Sequence, residues 1–260
     1  RLWIERLRAR FEPTHGIGLV IGRQHVGLVR VRRAGQQVEV EAIQEVRLTT
    51  PLFTGQPDPA AIAALSSVLT DVGGDLGRRY LPVHASLPDA AVRMAVFELD
   101  ALPKTRAEQQ ELTRWRLQQE AGGAVATASQ SLGQDGERHL LLGVSMDEGW
   151  QGAIRAALAA AGIVVWSLSA DVCRQFNRYH DRFVTGSGAL VSVSPDSWSL
   201  LLWDGEARVR YARARWRGGA DDHADIAAEV ERSIVAYVHG DPRRTVARVY
   251  ALTGVADDAL

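Results

Sequence analysis

The stretch Gly16-Ile-Gly-Leu-Val-Ile-Gly-Arg-Gln-His25 has the composition of an anion-binding turn. An apolar run ends at Gly22, and side-chain donors follow at Arg23, Gln24 and His25. A glycine lets backbone N–H groups approach a phosphate, and a basic residue at a strand end attracts one. Other chemistry is thinly represented. The seven histidines show no i, i+4 pair of the kind that binds zinc. Asp221, Asp222 and Asp225 surround His223, which could hold a metal. At a helix start the same acids are better explained as caps that complement the helix dipole. Neither a G-x-S-x-G elbow nor a G-x-x-x-x-G-K-[ST] loop occurs. The single cysteine, Cys173, excludes an internal disulfide and reads as a core thiol, because no activating neighbour accompanies it.

The 260 residues carry a net charge of −1 and a pI near 6.7, so no global field draws in nucleic acid. The arginine-rich stretches VRYARARWR and RRTVAR hold too few aromatics for an RNA-stacking face, and no nucleic-acid partner is expected. No apolar run reaches the roughly 18 residues of a membrane span, and RLWIERLRARF lacks the apolar centre of a signal peptide. The chain begins at Arg1 rather than at a methionine, as expected of a piece of a longer protein.

The elements that must position the glycine turn repeat. Trp3, Ile4, Leu7 and Phe11 are spaced as one face of a basic amphipathic helix over 1–15, read as packed on the body, with contact to a lipid surface as the alternative. Three strands follow, with a turn at AGQQ. Then come a helix from Asp58 carrying Leu65, Leu69 and Val72 on one face, and a strand at LPVHASLP. The order returns in GALVSVS, SWSLLLWDG, EARVRYARARW, a helix with Ile226, Val230, Ile234 and Tyr237, and ARVYALTG. Two βββαβ units therefore predict a two-lobed α/β protein, with a cleft expected between the lobes. The expected organisation is a first lobe core over 16–89, an inserted α+β subdomain over 90–146, a connecting segment over 147–187 and a second lobe over 188–260. Within the insert, LPKTRAEQQELTRWRLQQEAGG predicts a charged helix capped near Thr105, and a hairpin turns at GQDGE.

Two βββαβ lobes with an insert in the first are the plan of actin-like ATPases. Within them the chain resembles the PilM, MshI and GspL type of assembly proteins of type IV pilus and type II secretion machines. The resemblance is carried by GIGLVIGRQHVGLVRV, by FELDALPKTRAEQQELTRWRLQQEAG and by LLLGVSMDEGWQGAIRAALAAAGIVVWSLSADVCRQF, in that order. Nucleotide-binding members have Gly-Ile-Asp-Ile-Gly in the first turn. The aspartate there organises magnesium waters, and small residues follow it. Here Val20 holds the aspartate position, and Arg23, Gln24 and His25 replace the small residues. In the second turn Ser192 stands for the acid and Ser194 for the first glycine, and Pro195 removes a donor. The adenosine-side double glycine is reduced to Gly254, while the pair Gly218–Gly219 survives before the last helix.

What the resemblance implies is a cytoplasmic protein, peripheral to the inner membrane, that scaffolds without catalysis. No cofactor is expected, and the nucleotide site is expected to be degenerate. The implied partner is the cytoplasmic tail of a PilN-like bitopic membrane protein, received as an extended peptide near Leu99, Leu102, Pro103 and Trp115. The alternatives are an ATP- and Mg²⁺-binding actin-like ATPase or kinase, and a GspL-like domain that recruits the assembly ATPase. Trp115 on the charged helix, and Trp198 and Trp203 on the second lobe, are candidate interface anchors; burial in the core is the competing expectation for each.

Overall fold

The computed structural model describes residues 15–35, 37–75, 83–121, 123–183, 185–219 and 222–253. The expected helix over residues 1–11, and Gly254, lie outside the described residues. Contacts divide the chain into two units: 1–87 with 152–169, and 88–151 with 170–260. The strand that follows the long connecting helix thus clusters with the first sheet, and the segment 88–151 clusters with the second half.

In the first unit β1 (His15–Ile21), β2 (His25–Ala34) and β3 (Gln37–Arg47) form an antiparallel meander. Helix α1 (Pro59–Asp75) starts where the Asp58 carboxylate accepts the Ala60 N–H at 3.1 Å, a local N-cap. It buries Ala61, Leu65, Leu69 and Val72, the helical stripe that the spacing predicts. The chain returns as β4 (Val83–Leu87), parallel to β1. With β8 (Val165–Ala170) the sheet order is β3-β2-β1-β4-β8. β3 departs from its alternating pattern: Val38, Val40 and Ile43 are all exposed. The strand is an edge, and a register shift opposite Arg30/Val31 breaks the alternation.

In the second unit a short 3-10 turn at Asp89–Ala91 leads to β5 (Arg93–Leu99). Helix α2 (Arg106–Ala121) follows, started by a capping box. The Glu108 N–H donates to the Thr105 hydroxyl at 3.2 Å, and the Thr105 N–H donates to the Glu108 carboxylate at 3.2 Å. β6 (Val125–Asp135) and β7 (Arg138–Asp147) form the expected hairpin, and the sheet order is β5-β7-β6. Helix α3 (Glu148–Ala160) carries the chain to β8 (Val165–Ala170) in the first sheet. It ends on Gly162, whose φ of 70° is the left-handed cap that glycine adopts without strain.

Helices α4 (Asp171–Arg178) and α5 (His180–Phe183) precede β9 (Gly188–Val193), β10 (Ser197–Asp204) and β11 (Arg208–Trp216). Helix α6 (His223–His239) leads to β12 (Arg248–Thr253), parallel to β9, and the order is β11-β10-β9-β12. This sheet is covered on both faces. α6 packs on Ala189, Leu200 and Leu202. Val172 and Phe176 of α4 and Phe183 of α5 pack on Leu190, Leu201 and Trp203. That is why β10 reads as a nearly continuous apolar run. Trp198 and Trp203 are 3% and 1% exposed, so both are core residues rather than interface anchors.

Candidate functional site

The first glycine turn is the three-residue connection Gly22-Arg23-Gln24 from β1 to β2, closed by the Gly22 N–H on the His25 carbonyl at 2.8 Å. Its outward carbonyls are occupied: Arg23 accepts the Leu52 N–H at 2.8 Å, and Gln24 accepts the Leu48 N–H at 2.7 Å. The turn therefore offers acceptors to its own chain where a phosphate would need donors. The His25 ring lies on Gly22 itself, so closely that a Cβ added there would sit 2.3 Å from the ring carbon Cε1. Val20, at the aspartate position, is 40% exposed, and its parallel partner on β4 is Ser86.

The second turn, Ser194 to Ser197, is equally self-contained. Ser194 donates its N–H to the Ser197 carbonyl at 2.8 Å, and its hydroxyl accepts the Ser197 N–H at 3.1 Å. Pro195 and Asp196 form the tip. Ser192 is buried on β9 opposite Ser199 of β10.

The surviving glycine pair joins this turn through Arg217. Its guanidinium reaches the Asp222 carboxylate at 2.7 Å and the Ser194 carbonyl at 3.3 Å. Asp222 in turn accepts the Gly218 N–H at 3.0 Å. Asp222 is at the N-cap position of α6, yet its side chain makes no cap hydrogen bond; it serves Arg217 and Gly218 instead. The Arg217 guanidinium, joined by the N–H groups of Gly218 and Gly219, holds this carboxyl below the usual range. The chain itself thus supplies an anion to the one glycine pair that resembles a phosphate site.

Asp89 is the functional-type residue that sequence reasoning missed. It is 4% exposed, and it accepts the Val172 N–H at 2.8 Å and the Ser199 hydroxyl at 2.7 Å, tying the start of α4 to β10. Burial pushes its carboxyl up to about 7 against these two hydrogen bonds. The same buried surroundings push the Cys173 thiol up to about 12, so it has no thiolate character at neutral pH. Among the described residues no cluster of three or more His, Cys, Asp or Glu could hold a metal ion.

The proposed peptide neighbourhood divides by burial. Leu99 is 7% exposed in a cluster with Phe97, Leu117 and Leu141, and Leu102 packs against it. The Pro103 carbonyl accepts the Gln109 side-chain amide at 2.9 Å. Trp115 stands 58% exposed on α2. The arginines of β11 are largely spent within the protein: Arg208 and Arg210 on Asp204, Arg213 on Glu229, and Arg217, just after the strand, on Asp222. Strands so neutralised make a poor phosphate-backbone track.

No family model matches the chain, and no curated protein sequence does. Solved structures do match. The PilM–PilN type IV pilus biogenesis complex is 18% identical, with 92% of this chain and 81% of that chain covered and a TM-score of 0.72. A Bacteroides thetaiotaomicron protein with an actin-like ATPase fold and unknown function is 9% identical over 92% and 91%, with a TM-score of 0.59. The fold is actin-like. The cytoplasmic domain of EpsL, an inner-membrane component of the Vibrio cholerae type II secretion system, is also similar, at 15% identity over 94% and 84% and a TM-score of 0.57. Within this actin-like chain no described helix is long and apolar enough to cross a membrane.

Proposed function

We propose that the chain is a non-catalytic actin-like scaffold of the inner-membrane assembly platform of a type IV pilus or type II secretion system, docking the cytoplasmic tail of a PilN-like partner. It works in the cytoplasm, peripheral to the inner membrane, and takes no cofactor. One observation carries the reading: the Gly22 N–H is taken by the His25 carbonyl with the His25 ring over that glycine, and the Gly218 N–H is taken by Asp222. A nucleotide would have to displace these groups and would find Val20 where an acid must organise magnesium.

The similarity to a PilM–PilN complex supports the choice of partner. The tail docks beside α2, where Trp115 is an exposed aromatic anchor. A GspL-like role in recruiting the assembly ATPase is the second reading, supported by the lower TM-score to EpsL. Calorimetry separates the outcomes. The tail peptide should bind saturably while ATP with Mg²⁺ gives no saturable heat. Micromolar ATP binding without tail binding would replace the scaffold by an ATPase. Binding of the assembly ATPase without tail binding would favour the second reading.

A further inference from the structure

The two sheets are unequal copies of one plan. β9, β10, β11 and β12 repeat β1, β2, β3 and β4 in order and direction. In the first sheet β4 is flanked by a fifth strand, β8. In the second sheet no described strand lies on the far side of β12. Among the described residues its outer edge carries a row of N–H and C=O groups without a ladder partner.

The side chains agree with the backbone. Val249 is 58% exposed on β12, whereas β4 is almost wholly buried. Beside β12 on the α6 face lies an open groove of about 420 Å³. Val191, Val193 and Val249 form its floor, and Ile226, Val230 and Ile234 form its wall, with His223 and Glu231 among the few polar groups lining it. Val235, on the same helix, is 46% exposed.

The other long edge, β3, is defended. It bears Glu39, Glu41 and Glu45, and its ladder is interrupted by a register shift. β12 has neither an acid nor a shift, and its one charge, Arg248, is at its first position. It is also self-complementary. An antiparallel copy about a twofold axis at Ala251 sets Val249 against Thr253 and Tyr250 against Leu252, so no like charges meet.

We propose that β12 pairs with β12 of a second copy of this chain, joining two four-stranded sheets into one and closing the groove beside α6. Sedimentation from about 1 to about 200 μM tests it by mass action. The wild-type chain should approach twice the mass of one 28.4 kDa chain at the high end. Val249→Lys and, independently, Val235→Glu should each weaken the dimer at least about tenfold, with melting curves of the dilute monomer unchanged because both side chains start exposed. Amide exchange of 249–253 should slow as concentration rises.

A chain that stays monomeric throughout overturns the proposal. So does a dimer that survives both substitutions, or one that Val40→Lys on β3 dissolves instead. Protection of the β12 amides in dilute monomer would also overturn it, since the chain's own residues after Thr253 would then fill the position.

Discussion

The imidazole of His25 occupies the space that a side chain in place of Gly22 would take, so an alanine there must turn the ring aside. Gly22→Ala should therefore cost about 1–3 kcal/mol, as overpacking does. His25→Ala, which vacates the space, should be milder. The double substitution should recover most of the loss, and chemical denaturation of all four chains measures the coupling. Additive costs would mean the ring moves aside freely.

Asp89 makes stability fall as pH rises. Its folded carboxyl titrates near 7 against an ordinary value of 3.8, so between these values the folded chain holds a proton that the unfolded chain has lost. Protonation then favours the native state. The contribution is complete below about 4 and lost as pH passes 7, on the order of a few kcal/mol. Asp89→Asn can still accept the Val172 N–H while its amide N–H donates to the Ser199 hydroxyl. The variant should melt several degrees higher than wild type at pH 8, with the gap closing as pH falls to about 4. Equal melting at pH 8 would show that the native carboxylate is solvated.

Two tryptophans should behave oppositely. Trp203 is buried, with its indole N–H donating to the Phe183 carbonyl at 3.1 Å and its ring stacked with Tyr250, tilted on Phe183 and edge-on to Phe176. Trp203→Ala should cost about 3–5 kcal/mol. Trp115→Ala should change stability by less than about 0.5 kcal/mol and weaken tail binding at least tenfold, as loss of an interface anchor does. Unaltered tail affinity would remove Trp115 from the docking surface.

Thr105→Ala should cost about 1 kcal/mol by opening the capping box of α2. Because the same box sets where α2 begins, tail binding should weaken modestly in parallel. Calorimetry on the variant measures both effects.

Much of the fold could be read from periodicity. The stripe on α1, the Thr105 cap and the hairpin around Gly136 are local features, encoded within a dozen residues of each other. Burial of strand tryptophans was not legible. β10 is covered on both faces, and a run buried on both sides carries no alternation that marks a core face. Leu99 belongs to the tail neighbourhood that the resemblance implies, yet this end of β5 packs into the α2 cluster.

Asp89 escaped notice for a different reason. Its partners lie 83 and 110 residues away, so its burial exists only once α4 and β10 are in place. The Arg217–Asp222 pair is short in sequence, yet its acid could serve a helix cap or an arginine equally well. Only the position of Ser194 across the hairpin shows which use prevailed.

Asp222 lies four residues from the glycine whose N–H it accepts. A ligand built into the polypeptide has an occupancy set by the fold and not by supply. On the scaffold reading proposed above, starvation or plenty of triphosphate should leave this loop in the same shape, and a signal passing through the protein would enter by another door.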